Sequence, residues 1–121
     1  MKKINTLICS ILIFLLISCD KEPYINFGFD SPIDKNSNGL VIADISHHVQ
    51  NIYLNGFISL AEGEVEISLL NPNGIAVYSK TILAPIELNI YETFEAKPGY
   101  WKLKYLSREG VGEIDLHLHK H

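Results

Sequence analysis

Cysteine is scarce in this chain, with two in 121 residues, and tryptophan and methionine occur once each. Two cysteines, at positions 9 and 19, exclude the disulfide framework that holds many small secreted domains together. Basic residues are also few, 10 Lys and Arg against 14 Asp and Glu, for a formal net charge of −4. Lys2 and Lys3 open a stretch without acids, so the residues after position 18 carry 8 basic against 14 acidic side chains, a net of −6. Phosphate recognition needs clustered Lys and Arg, and this balance argues against a nucleic-acid partner. Long apolar runs are missing apart from Leu7 to Ile17, broken once by Ser10. That run falls short of the roughly 20 residues a membrane-crossing helix requires. No Gly-x-Ser-x-Gly elbow, His-Glu-x-x-His helix or phosphate loop is present, so neither an enzyme nor a bound cofactor is expected.

What the N-terminus does contain is a cationic start, Met1-Lys2-Lys3, then the apolar run, then Leu16-Ile17-Ser18-Cys19 with no acid until Asp20. This is the length and flanking chemistry of a secretory signal. An aliphatic residue, a small residue and then cysteine at its end resembles the lipobox of bacterial lipoproteins. The resemblance covers residues 1–19. It implies a signal peptide over 1–18, cleaved before Cys19, whose thiol then takes a diacylglyceryl group and whose new amino terminus is acylated. Several acyl chains on one residue give stable anchoring where a single chain holds only marginally. Cys9 would leave with the signal and no intrachain disulfide would remain. The expected location is the bacterial cell envelope, anchored to a membrane and facing outside the cytoplasm.

Residues 19–38 read as a tether. Pro23, Gly28 and Pro32 break any regular pattern there, but Tyr24, Ile25, Phe27 and Phe29 suggest an edge strand within it. From 39 to 121 the pattern becomes short runs of period-two alternation separated by turn signals, the signature of an antiparallel β protein. The expected strands are 40–45, 51–60, 64–70, 75–83, 86–94, 100–107 and 111–119. About seven strands at this spacing predict a small all-β sandwich, with almost no helix outside the signal. Val65, Ile67 and Leu69 alternate with Glu64, Glu66 and Ser68, and Trp101, Leu103 and Tyr105 with Tyr100, Lys102 and Lys104, so one face of each strand is apolar. Glu92 falls in phase with Ile90 and Phe94, which predicts a bulge in that strand. Asn71-Pro72-Asn73-Gly74 predicts a hairpin, Lys97-Pro98-Gly99 a type II turn, and Arg108-Glu109-Gly110 the last reversal. Residues 62–119 resemble the small jelly-roll modules appended to secreted bacterial proteins, such as pre-peptidase C-terminal domains. That resemblance implies an accessory or binding role without catalysis.

Three groups of side chains are candidate ligand sites. Asp34, Asn36 and Asn38 with Gly39 match the opening of a calcium loop, but the twelfth position is Ile45 where a bidentate Glu is needed, which favours a plain polar turn. His117, His119 and His121 alternate along a strand beside Glu113 and Asp115, a spacing that puts imidazoles on one face and suits zinc or copper. His121 is terminal and frays, so no metal ligand is assigned. Trp101 would stack on a sugar were it exposed, yet its parity places it in the core, leaving Tyr53, Tyr91 and Tyr100 as candidate exposed aromatics. The leading expectation is a lipid-anchored, non-catalytic β-sandwich that binds a protein partner in the envelope. The alternative is a small-ligand module for carbohydrate or a divalent metal.

Overall fold

The computed structural model describes residues 26–120, which form strands and turns without a helix. Residues 1–25, among them the expected signal segment, Cys19, Tyr24 and Ile25, and His121 lie outside the described residues. Six antiparallel strands follow in order: β1 (Asn26–Ile33), β2 (Asn38–Ile45), β3 (Asn51–Leu70), β4 (Ala76–Leu83), β5 (Ile86–Glu95) and β6 (Gly99–Lys120). The all-β expectation holds, with two corrections. The runs 51–60 and 64–70 are one strand, β3, and the runs 100–107 and 111–119 are one strand, β6. Arg108-Glu109-Gly110 therefore does not reverse the chain.

The physical reason is a bulge that uses turn residues. Gly63 has φ 74° and Glu109 has φ 61°, so each strand holds one residue in the left-handed region at the same level. The β3–β6 register shifts there, between Leu60 and Glu62 and again between Glu62 and Glu64. An odd residue inserted into an alternating strand exchanges its two faces. Accordingly Ile52, Leu54, Ile58 and Leu60 are buried before the bulge, and Val65, Ile67 and Leu69 after it. β6 switches in the same way, from Trp101, Leu103 and Tyr105 to Ile114, Leu116 and Leu118. A Cβ at Gly63 would overlap the carbonyl oxygen of Glu109, so the crease requires glycine there.

At this crease the single hydrogen-bonded sheet divides into two four-stranded leaves. The β2 leaf runs β2, β6 (99–106), β3 (64–70), β4, and the β1 leaf runs β1, β6 (112–119), β3 (51–60), β5. Counted as eight segments in chain order, the leaves read 2-7-4-5 and 1-8-3-6, the double-sheet arrangement of a jelly roll. The buried faces of both leaves join in one apolar core. Rings meet across it: Phe29 of the β1 leaf packs edge-on against Tyr105 of the β2 leaf at 4.9 Å, and Tyr78 meets Phe94 at 6.4 Å. Burying each large apolar side chain contributes about 1.5–3 kcal/mol against the entropy of ordering it.

β1 belongs to this sandwich, pairing along β6 from Asn26↔His119 to Ile33↔Gly112, so the paired fold begins ahead of residue 39. β5 pairs with β3 in unbroken register from Glu95 to Ile86, and the bulge expected at Glu92 is absent. Because β5 is an edge strand, Glu92 reaches solvent at the rim even in an inward phase. An inward-phase charge on an edge also discourages pairing with another chain.

Candidate functional site

The folding of the leaves gives the molecule two ends. The crease end holds the β1–β2 turn (34–37), Gly63, the Ala84–Pro85 link and residues 107–111. The open end gathers the loops 46–50, 71–75 and 96–98, together with the start of β1 and the end of β6. Ala96 N–H donates to the Gln50 carbonyl at 3.1 Å, tying two of those loops, and Gly99 lies against Pro72 of the third.

The calcium-loop candidate is a closed polar turn at the crease. Asp34 Oδ1 accepts from the Ser37 hydroxyl at 3.0 Å and from Asn36 N–H at 3.3 Å. The Asp34 carbonyl accepts from Ser37 N–H and from the Ser107 hydroxyl, and the Lys35 carbonyl from Glu109 N–H. Asp34 Oδ1 and the carbonyls of Asp34 and Lys35 hold this turn against the bulge of β6.

The histidine strand lies on the outer face of the β1 leaf. There Asp115 pairs with Asp30 and Phe57, His117 with Gly28 and Asn55, and His119 with Asn26 and Tyr53. His117 Nε2 sits 2.6 Å from Asp115 Oδ1. Its Nδ1 is buried without a hydrogen-bond partner, and a Cβ on Gly28 would come within 2.6 Å of it. The ring thus occupies the space that glycine leaves open, with Nε2 turned toward Asp115. The pKa of His119 is lowered, first by burial and then by the neighbouring His117, whose ring centroid is 6.3 Å away. Among the described residues, no three His, Cys, Asp or Glu side chains are grouped to hold a metal. His47 and His48 stack on each other in the 46–50 loop, centroids 4.2 Å apart.

The best-formed concavity is a groove of about 510 Å³ on the outer face of the β2 leaf, next to the open end, lined by Ile42, Leu70, Asn71, Pro72, Gly74, Tyr100 and Lys102. Strand pairing builds its floor, since Lys102 of β6 lies between Ile42 of β2 and Leu70 of β3. The hairpin builds its wall. Asn71 is buried, and its Oδ1 accepts from Asn73 N–H at 2.9 Å and Ile75 N–H at 3.0 Å, which fixes the turn with Gly74 at φ 82°. Tyr100 and Ile42 stand half or more exposed at 61% and 50%, continued by Leu40 and Leu106. Trp101 is buried, its Nε1–H donating to the Lys97 carbonyl at 2.8 Å, so no sugar reaches it. Tyr91 is exposed on the other leaf, and Tyr53 is half-buried. Reading by parity alone missed Leu40, Ile42 and Leu70. The available signal was the broken alternation of Leu40-Val41-Ile42, where apolar side chains fall on both faces of one strand.

No family model and no curated protein matches this chain. Among solved structures it is similar to an insecticidal delta-endotoxin from Bacillus thuringiensis at 12% identity and TM-score 0.49, over 78% of this chain and 20% of the toxin. It is also similar to a family 35 carbohydrate binding module from Clostridium thermocellum, at 10% identity and TM-score 0.44, over 79% of this chain and 90% of the module. A Bacillus endospore appendage protein aligns at 12% identity and TM-score 0.41, over 77% and 88% of the two chains. The chain thus spans about a fifth of the toxin's length.

Proposed function

We propose that this chain is a lipid-anchored, extracytoplasmic protein of the bacterial envelope, whose non-catalytic sandwich binds a protein partner along β2. The anchor reading rests on the Lys2-Lys3 start, the apolar run and Cys19. Partner binding rests chiefly on the character of β2. It is an edge of its leaf, and Leu40 and Ile42 stand on its outer face at 55% and 50% exposure. The other edges carry devices that oppose strand addition: Pro32 in β1, Lys80 in β4 and Glu92 in β5, the last two in the inward phase. β2 has neither proline nor an inward-phase charge. An incoming strand gains backbone hydrogen bonds from such an edge and specificity from the side chains beside it.

The test is site-specific photo-crosslinking in the native envelope from position 42 on β2, with position 89 on β5 as control. One discrete protein adduct from position 42, absent from position 89 and lost on Leu40→Lys, is expected. Equal adducts from both positions, or none from 42, would refute strand-edge recognition. The alternative of a small ligand is favoured by one feature, the exposed Tyr100 beside Asn71 and Lys102, a set suited to stacking on and hydrogen bonding to a sugar ring. Calorimetric titration with oligosaccharides, and with divalent metals before and after removal of the C-terminal histidines, separates that reading.

A further inference from the structure

From the position of β1 and the distribution of exposed side chains we infer that the open end of the sandwich docks on the surface of the anchoring bilayer, with the hairpin tip and Tyr100 in contact with lipid. This rests on lipidation at Cys19. Seven residue steps separate Cys19 from Asn26, where β1 begins at the open end. At ~3.3–3.6 Å per residue, that chain reaches at most about 25 Å, less than the diameter of the domain it holds. The open end is therefore the part of the fold kept closest to the membrane.

The surface at that end suits the role. Ile75 at the hairpin tip is 58% exposed, and Val77 and Tyr100 continue the same apolar surface past Pro72. Tyrosine beside aliphatic side chains, with lysine next to them, is the composition that settles at the headgroup level of a bilayer. Charge orients the molecule in the same sense. Lys97, Lys102 and Lys120 balance Asp44, Glu92 and Glu95 toward the open end, whereas Asp34, Glu62, Glu64, Glu87, Glu109 and Glu113 outnumber Lys35 and Arg108 around the crease. An anionic surface repels the acidic crease and tolerates the balanced open end. Docked this way, the crease and the β2 edge from Ile42 back to Asn38 point away from the lipid and stay open to a partner.

The full chain, acylated in its native host and reconstituted into phosphatidylcholine–phosphatidylglycerol vesicles with brominated acyl chains, provides the experiment. Tyr100→Trp and Asn36→Trp place a fluorophore at the open end and at the crease, and subtraction of the unaltered chain removes the common signal of buried Trp101. Lipid quenching about threefold stronger at position 100 than at position 36 is expected, because a docked side chain enters ~5–10 Å into the headgroup and acyl boundary. Adding Ile75→Asp and Val77→Asp should abolish the difference while acyl labelling of Cys19 persists. Equal quenching at the two positions, on vesicles that retain acyl-labelled protein, would overturn docking and leave the anchor standing. Protein without acyl label that does not sediment with vesicles would overturn both.

Discussion

Along β6 the side chains Trp101, Leu103 and Tyr105 of the β2 leaf and Ile114, Leu116 and Leu118 of the β1 leaf enter one core, while the residues between them diverge. In the β2 leaf these are Tyr100, Lys102, Lys104 and Leu106; in the β1 leaf they are Glu113, Asp115, His117 and His119. The inner faces are alike because closing a sandwich leaves them no choice but to be apolar and complementary. The outer faces are free of that demand. One is apolar with lysine and bears the groove, and the other is acidic with two histidines. Function in this fold is therefore to be sought in the outward parity, and stability in the inward one.

The sharpest way to break the symmetry of the inner faces is to open a cavity in each. Leu69→Ala in the β2 leaf and Leu54→Ala in the β1 leaf remove fully buried side chains from the two arms of β3. Each should cost about 2–5 kcal/mol. Because the leaves share a core and two continuous strands, both variants should unfold in one transition. Trp101 fluorescence reports the β2 leaf and far-ultraviolet circular dichroism both leaves, and the two denaturant curves should coincide. Curves that separate would mean that the leaves are independent units.

A smaller effect is expected where the leaves join. Gly63→Ala puts a side chain on a residue at φ 74° and drives its Cβ into the Glu109 carbonyl. The strained backbone alone should cost about 1–3 kcal/mol. Gly74→Ala, at φ 82° on the open hairpin with nothing near the added Cβ, serves as the control for conformation without overlap. Thermal unfolding that ranks the two equally would show that the crease relaxes freely.

Trp101→Phe distinguishes the leaves again, since only the β2 leaf carries an indole. It removes the donor to the Lys97 carbonyl and leaves a small void. A loss of about 1–2 kcal/mol is expected by denaturant titration followed by circular dichroism. No shift in midpoint would mean that the bond to the loop before β6 contributes nothing beyond packing.

Much of this architecture was legible in local pattern. Alternation around Glu64–Leu69 and Tyr100–Tyr105 assigned the inward residues, and the Asn-Pro-Asn-Gly hairpin was readable because one asparagine side chain closes it. The crease was misread for a physical reason: Arg-Glu-Gly places a residue in the left-handed region whether the chain reverses or merely bulges. Only the long-range register with Gly63 tells these apart. Site features are less legible for the same reason. Spacing put His117 and His119 on one face, but the cover over His117 Nδ1 comes from Gly28 on another strand. The groove exists because β2 lies beside the first arm of β6, a pairing that no local pattern encodes.

The smallest predicted effect belongs to the outer face of the β1 leaf. Burial and the neighbouring His117 hold the His119 pKa below its ordinary value, which unfolding restores to about 6.5. Between those two values the unfolded chain binds the proton more readily than the folded one, so stability rises with pH across that window. The contribution is therefore fully present above about pH 6.5 and is lost as pH falls toward the folded-state value. Thermal midpoints from pH 7.5 downward should show this decline before carboxylate titration begins. His119→Gln should flatten that part of the profile, while substitution of exposed Lys102 on the other leaf should leave its shape unchanged. A decline of equal slope in His119→Gln would assign it to other groups.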